Sequence, residues 1–341
     1  MKKNNYKVMD KIVLSKAPMR ISLAGGGTDI ESYASKFGGA VIGFAINKYI
    51  TNIVFPRSFD KKIYATWEYE DISSNIDGLK NIFGKVGLKK IGIYNDAQIA
   101  TLSDAPSGTG LGGSGAFYVS LLNTIENGRL SVKDRIRIAE MASTIEMQDL
   151  LRPVGKQDHY LSALGGVQYL KFNKDMSVQV SKIKLQPKCL KYFSQNLMLF
   201  YTGQRRSASN ILEKQSNSIK KNDNQIIELL HKIASIVDEM IKALKGDEPN
   251  IIGPLIGKHW EAKMNLNPNI SKNEFNIIYN EVLTKGADGG KILGAGGGGF
   301  FLISTKEGYE ENVRQFMSKK GMRELQFDID FRGTENTYLN I

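Results

Sequence analysis

The chain has 341 residues, of which 41% are hydrophobic and 24% charged, and its formal net charge is +11. At roughly 100 to 200 residues per domain that length predicts two domains, and the composition excludes a disordered, collagen-like or fibrous chain. The single cysteine, Cys189, rules out an intramolecular disulfide, and one Cys with three His rules out a structural zinc. No stretch of about 18 apolar residues occurs, and the basic N-terminus lacks an apolar run of signal-peptide length. The expectation is a cytoplasmic protein without a membrane partner.

The positive charge could mark a nucleic-acid footprint or a bias toward small anions such as nucleotides and sugar phosphates. The lysines lie in short scattered pairs, among them Lys89 and Lys90, with no long basic run and no aromatic-interleaved stripe. Solvated surface lysine in a composition rich in Lys, Asn and Ile accounts for the charge, so no nucleic-acid partner is expected. The glycines carry more information. Of 34, 16 fall in three stretches, 25–27, 108–115 and 286–299, and clustered glycine means backbone brought close to another group.

In chain order, Ile12–Leu14 and the alternating Met19, Ile21 and Leu23 read as strands, followed by a mixed apolar stretch over 40–55. Phe117, Leu121, Leu122 and Ile125 sit at helical spacing ahead of Gly128. Ser131 begins a helix-capping pattern, and the helix through Ile138, Met141, Ala142 and Ile145 must stop by Pro153. Strands are expected at 167–172, 178–185 and 196–203. Residues 205–285 are helical in pattern, with Ile226, Leu229, Leu230, Ile233, Ile236 and Val237 as an apolar stripe. A strand at 300–304 and a helix at 310–320 follow the third glycine stretch, and a boundary is expected near 186–195.

The middle stretch, DAPSGTGLGGSGAFYVSLL, sets five glycines directly ahead of a helix. Loop N–H groups added to the positive end of a helix dipole make an anion site suited to a triphosphate. A Walker loop needs a Gly-Lys-Ser/Thr ending that is missing here. Gly110, Gly112 and Gly115 satisfy G-x-G-x-x-G, but a dinucleotide fold wants a strand with an acid after the helix, where a second helix is expected. No H-R-D or D-F-G string of a protein kinase occurs. The third stretch, GGKILGAGGGGFFLIS, reads as backbone packed either on another segment or on a ligand. In the first, KAPMRISLAGGGTDIESY, Asp29 is either a turn former or a carboxylate offered to hydroxyl groups.

The three stretches, in this order and with these flanks, resemble the motifs of the GHMP kinase superfamily: KAPMRISLAGGGTD the first, PSGTGLGGSGA the second and KILGAGGGGFF the third. Within it, Gly-Gly-Gly-Thr-Asp at 25–29 is similar to the branch of D-glycero-D-manno-heptose 7-phosphate kinases and the kinase half of fucokinases. GKQDHYLSALGGV and YTGQRRSASNIL are similar to the heptose kinases too. The resemblance implies an α+β, two-domain GHMP kinase fold. Residues 1–188 would form an N-terminal domain with a mixed or antiparallel sheet and helices. Residues 189–341 would form a ferredoxin-like C-terminal domain, with the active site in the cleft between. It further implies ATP-dependent phosphorylation of the anomeric hydroxyl of a sugar, with heptose 7-phosphate favoured and an unphosphorylated sugar such as L-fucose the alternative. A nicotinamide-dependent oxidoreductase and a nucleic-acid-binding protein are remote alternatives.

Carried over by position, the resemblance implies that Pro106, Ser107, Gly108, Thr109, Gly110, Leu111, Gly112, Gly113, Ser114 and Gly115 wrap the ATP phosphates. Ser114 and Glu146 would hold Mg²⁺. Asp158 falls at the active-site aspartate, and Arg20 at the basic position that pairs with Asp158 or the transferring phosphate. The sugar would meet Arg20, Gly26, Gly27, Thr28, Asp29 and Asp158, with Gly296 and Gly297. The family motif commonly has two serines, but Gly113 here leaves Ser114 as the only hydroxyl of that pair. By residue type alone, Glu146 near Arg135, Arg137 and Arg152 reads as a surface ion pair, and Asp158 as a helix cap. Arg206, beside Arg205, is either a solvated loop charge or a grip on a sugar phosphate. Nothing in the sequence pairs His159, His231 or His259, so none is assigned a catalytic role. ATP and a sugar phosphate are the expected small-molecule partners, with a homo-oligomer left open.

Overall fold

The computed structural model of the protein describes residues 11–204, 208–266 and 274–340. In its first half come β1 (Lys11–Ala24), α1 (Glu31–Phe37), β2 (Gly39–Pro56), β3 (Ile63–Thr66), β4 (Glu70–Ser73), α2 (Ile82–Lys90), β5 (Ala97–Ser103), α3 (Gly113–Asn123), α4 (Val132–Thr144), α5 (Gln157–Leu164), β6 (Val167–Phe172) and β7 (Val178–Ile183). The second half holds α6 (Pro187–Gln195), β8 (Leu197–Tyr201), α7 (Ala208–Lys220), α8 (Asn224–Gly246), α9 (Ile252–Leu266), α10 (Glu274–Leu283), β9 (Ala287–Ile292), β10 (Phe300–Thr305), α11 (Glu310–Lys319), β11 (Arg323–Glu324) and β12 (Glu335–Asn340).

Eight strands form a mixed sheet in the order β12-β1-β2-β5-β3-β4, with β6 and β7 added along β2. Only β3 and β5 run parallel. The two strands expected within 12–23 are one strand, β1, whose register against β2 shifts between Pro18 and Met19. Proline has no N–H to give a ladder, so an irregularity is where a strand tolerates it. From Ala17 onward β1 is buried throughout, because α3 and α5 pack on it.

The helix expected from Ser131 begins at that residue with a capping box, Ser131 accepting from Asp134 N while the Asp134 side chain accepts from Ser131 N. It leaves the α pattern before Pro153: after Thr144 the chain makes a π turn over Ile145–Asp149, which carries Glu146. The segment expected as a boundary is α6, with Pro187 in its first turn and the Phe193 ring 5.0 Å from that of Phe44 on β2.

The other sheet has the order β11-β8-β10-β9, all antiparallel. Taken in chain order that is 4-1-3-2, and with α7–α10 after its first strand and α11 after its third it has the ferredoxin-like arrangement. Its helix-covered face is filled by Trp260, Tyr279 and Phe301, large rings whose burial stabilises by about 1.5–3 kcal/mol each. The stripe on α8 is buried at Leu230, Ile233, Ile236 and Val237, whereas Ile226 and Leu229 are half-buried. Two elements of the fold run against the sequence pattern. The last strand, β12, returns to pair with β1, and β9 is a strand despite the sequence ADGGKI. No described helix is long and apolar enough to cross a membrane.

Candidate active site

The second and third glycine stretches meet. A Cβ at Gly110 would stand 2.6 Å from Leu293 O, one at Gly294 would stand 2.7 Å from Gly110 Cα, and one at Gly299 would fall on Thr109 O. All three have positive φ, at +83°, +65° and +95°, so both the backbone conformation and the lack of space demand glycine. The contact is tied by Phe300 N–H donating to Thr109 O at 3.1 Å and Arg20 N–H donating to Leu111 O at 2.9 Å. The third stretch packs on backbone, and it also lines a cavity.

That cavity is a cleft of about 1280 Å³, above the roughly 300–1,000 Å³ usual for one small ligand, so it has room for a nucleotide and a second molecule. Arg20, Gly26, Gly27, Asp29, Pro106 through Ser114, Asp158, Gly296 and Gly297 all line it. Gly112, at φ +73°, ends the loop and precedes α3, so the helix N-terminus with its free N–H groups opens toward the cleft.

At its centre is an ion pair. Arg20 Nε and Nη2 both donate to Asp158 Oδ1, at 2.7 and 2.6 Å, and Nη1 donates to Gly110 O at 2.6 Å. Asp158 lies in the first turn of α5 but caps nothing. Its second oxygen, Oδ2, has no protein partner among the described residues and is left for a ligand. Gly115 sits behind the loop, where a Cβ would be 2.8 Å from that of Asp158. Asp29 is buried and accepts from Gly27 N and from both the backbone and the side-chain amide of Gln157, at 3.0–3.1 Å. Burial pushes its carboxyl up, the Gln157 hydrogen bond opposes this and the neighbouring Asp158 charge adds to it.

Two sequence assignments change. Thr28 is fully buried, and its hydroxyl lies 2.8 and 2.9 Å from Gly25 O and Ala40 O while accepting from Ala40 N, so it holds the glycine turn in shape and does not face the cleft. Glu146 is not in a surface pair. It is 1% exposed, behind Ser114, with Arg152 donating to Oε1 and His159 Nε2 lying 2.8 Å from Oε2. Burial alone would raise its carboxyl, but the hydrogen bond and field of His159, then Arg152 and the Ser114 hydroxyl, hold it below its ordinary value. His159 and His231 therefore have partners that the sequence did not reveal, the latter with Tyr33 Oη 2.6 Å from Nδ1. Arg206 lies outside the described residues.

Other lining residues were not foreseen. Trp67, Tyr69, Phe83 and Leu102 give one wall an aromatic and apolar character, a surface on which a nucleobase can stack. His259 and Lys263 on α9 and Lys291 on β9 line another wall. Burial, then the charge of Arg20, pushes the Lys263 ammonium from its ordinary 10.5 down to about 7. The charged groups acting on this wall include Arg20 on β1 and Lys291 on β9, with His259 on Lys263's own helix. Between pH 7 and 10.5 the unfolded chain binds the Lys263 proton more tightly than the folded one, so folding stability rises with pH across that window. Urea denaturation from pH 7 to 9 is expected to show a larger rise for the wild type than for Lys263→Met. Equal slopes would contradict the placement of this ammonium.

Residues 79–166 match the GHMP kinases N terminal domain family. The two-sheet fold is that of solved sugar and mevalonate kinases. It is 28% identical over 322 residues to the D-glycero-alpha-D-manno-heptose 7-phosphate kinase of Campylobacter jejuni, covering 91% of this chain and 94% of that one. It is 27% identical over 341 residues to the L-fucokinase/L-fucose-1-P guanylyltransferase of Bacteroides fragilis, spanning 35% of that longer protein. A crystal structure of a D-glycero-D-manno-heptose 1-phosphate kinase from Bacteroides thetaiotaomicron superposes with a TM-score of 0.76 at 23% identity, over 96% of this chain and 99% of that chain.

Proposed function

We propose that the chain transfers the γ-phosphoryl group of ATP to the anomeric hydroxyl of D-glycero-D-manno-heptose 7-phosphate. The products would be ADP and the 1,7-bisphosphate, for nucleotide-activated heptose and surface glycan synthesis. One observation carries the reading: the Arg20–Asp158 pair stands in the cleft that residues of all three glycine stretches line, with Oδ2 of the aspartate left for the acceptor. The similarity to a heptose 7-phosphate kinase along almost the whole chain supports the choice of sugar.

Phosphoryl transfer needs positioning and charge stabilisation more than covalent chemistry. The loop from Gly108 to Ser114 and the N-terminus of α3 would cradle the β- and γ-phosphates with backbone N–H groups. Asp158, fixed through Oδ1 by two Arg20 donors, would accept the acceptor's proton, or a hydrogen bond from it, through Oδ2. Asp29, on the neighbouring turn, would take sugar hydroxyls, and Trp67 and Phe83 the adenine.

A divalent cation belongs to this chemistry, and Ser114 is a hard oxygen donor that lines the cleft. Glu146 stands behind that hydroxyl with its two oxygens held by Arg152 and His159; Ser114 would hold Mg²⁺ directly and Glu146 would join on releasing one of those partners, since Mg²⁺ asks for only one or two protein oxygens beside phosphate and water. When bound, Mg²⁺ supplies charge neutralisation on the phosphates. Purified protein with Mg-ATP is expected to release ADP with heptose 7-phosphate well above L-fucose, and the reverse preference would overturn the choice of sugar.

A further inference from the structure

Buried charge in a protein normally comes paired, and the wall formed by α9 and β9 departs from this. Lys263 is 9% exposed, Lys291 2% and His259 1%. Each lysine spends one donor on a backbone carbonyl, Lys263 on Gly294 O and Lys291 on Leu23 O, the latter at 2.9 Å. An ammonium has three donors, and among the described residues neither lysine has a carboxylate partner. The charges that act on them are positive: Arg20 on both, and Lys263 on Lys291. Both ring nitrogens of His259 are buried without a hydrogen-bond partner. Burial, then the two lysine charges, keeps that imidazole neutral, so it has one donor to offer.

These groups face the same cleft as Arg20 and Gly294. They are anchored on Leu23 ahead of the first glycine stretch and on Gly294 in the third, which packs against Gly110 of the second. Arg20 is already matched by Asp158, so the lysines carry the unbalanced charge. A fold that keeps two buried lysines and a donor-bearing imidazole on one cavity wall, with spare donors and no anion of its own, is completed by an anion with several acceptor oxygens. A phosphate monoester, with two charges and three terminal oxygens, has that chemistry.

We propose that Lys263, Lys291 and His259 form a phosphate subsite in the cleft, beside the glycine-loop cradle. It rests on reading the cleft as a kinase site. The phosphate has two sources, the ester already on the acceptor sugar or the phosphoryl group in transit from ATP. The subsite also explains why these lysines are retained there, since a bound phosphate supplies the acceptors that the wall's own residues do not.

The test uses the full-length protein and the variants Lys263→Met and Lys291→Met, which keep side-chain length and remove charge. Removing an unpaired buried ammonium is expected to raise the melting temperature without ligand. In the same variants the Kd for inorganic phosphate, measured calorimetrically, rises about tenfold or more. A merely structural role would lower stability and leave phosphate binding alone. Kinetics separate the sources. A KM increase confined to sugar phosphates, with free sugars unaffected, assigns the subsite to the acceptor's ester. A kcat loss shared by every acceptor assigns it to the phosphoryl group in transit. Phosphate binding unchanged in both variants overturns the subsite whatever sugar the enzyme uses, whereas binding lost without turnover of any sugar would sink the sugar reading and leave the subsite standing.

Discussion

Asp158→Asn is expected to lower kcat for ADP release by about 100- to 10,000-fold, the range a positioned proton acceptor contributes, with little change in melting temperature. Asparagine keeps the volume and an oxygen for Arg20 but cannot take a proton. The Arg20 donors converge on Oδ1 alone, so the geometry assigns the missing function to Oδ2. Single-turnover measurements with saturating Mg-ATP separate this loss from one in binding. A variant retaining kcat within tenfold would reduce Asp158 to a structural partner of Arg20.

Glu146→Ala is expected to act on the fold as much as on turnover. The carboxylate holds Arg152 and His159 together behind Ser114, and its removal leaves two buried donors facing each other. Truncating one member of a buried pair costs about 3–5 kcal/mol. Urea denaturation should show that loss as a lower midpoint at unchanged slope. His159→Leu alone should cost less, about 1–3 kcal/mol, because Arg152 remains on the carboxylate. If Glu146→Ala costs under 1 kcal/mol, the pair is not the anchor of the π turn.

Much of the site was legible because glycine was concentrated where backbone must touch backbone. Gly110, Gly294 and Gly299 meet because no other residue fits there, and that constraint shows in sequence as clustering. Capping was legible at Ser131 for the same kind of reason, a short-range bond within four residues. The strand β9 was not, since Ala-Asp-Gly-Gly reads as a turn until β10 supplies its ladder. Likewise β12 gave no sign that it would cross the molecule to β1.

The residues missed at the site share one property: their meaning depends on a partner far along the chain or on burial. His159 is thirteen residues from Glu146 across a proline, and no local pattern announces the pair. Lys263 and Lys291 were lost among many lysines, although two signals were present. His259 and Lys263 are spaced i, i+4 on one helix face, and Lys291 stands inside a glycine-rich run leading into an apolar strand. Thr28 was misplaced in the opposite sense, since a motif hydroxyl reads as a ligand contact until the turn it closes is seen.

The most direct test is to incubate the purified protein with Mg-ATP and D-glycero-D-manno-heptose 7-phosphate, L-fucose and D-galactose in parallel. ADP is followed, and the position of the new phosphate is read by phosphorus NMR. The expected result is turnover of the heptose 7-phosphate above the other sugars, with the new ester on C1. Turnover of none of them, or phosphate appearing at any carbon other than C1, would contradict an anomeric sugar kinase.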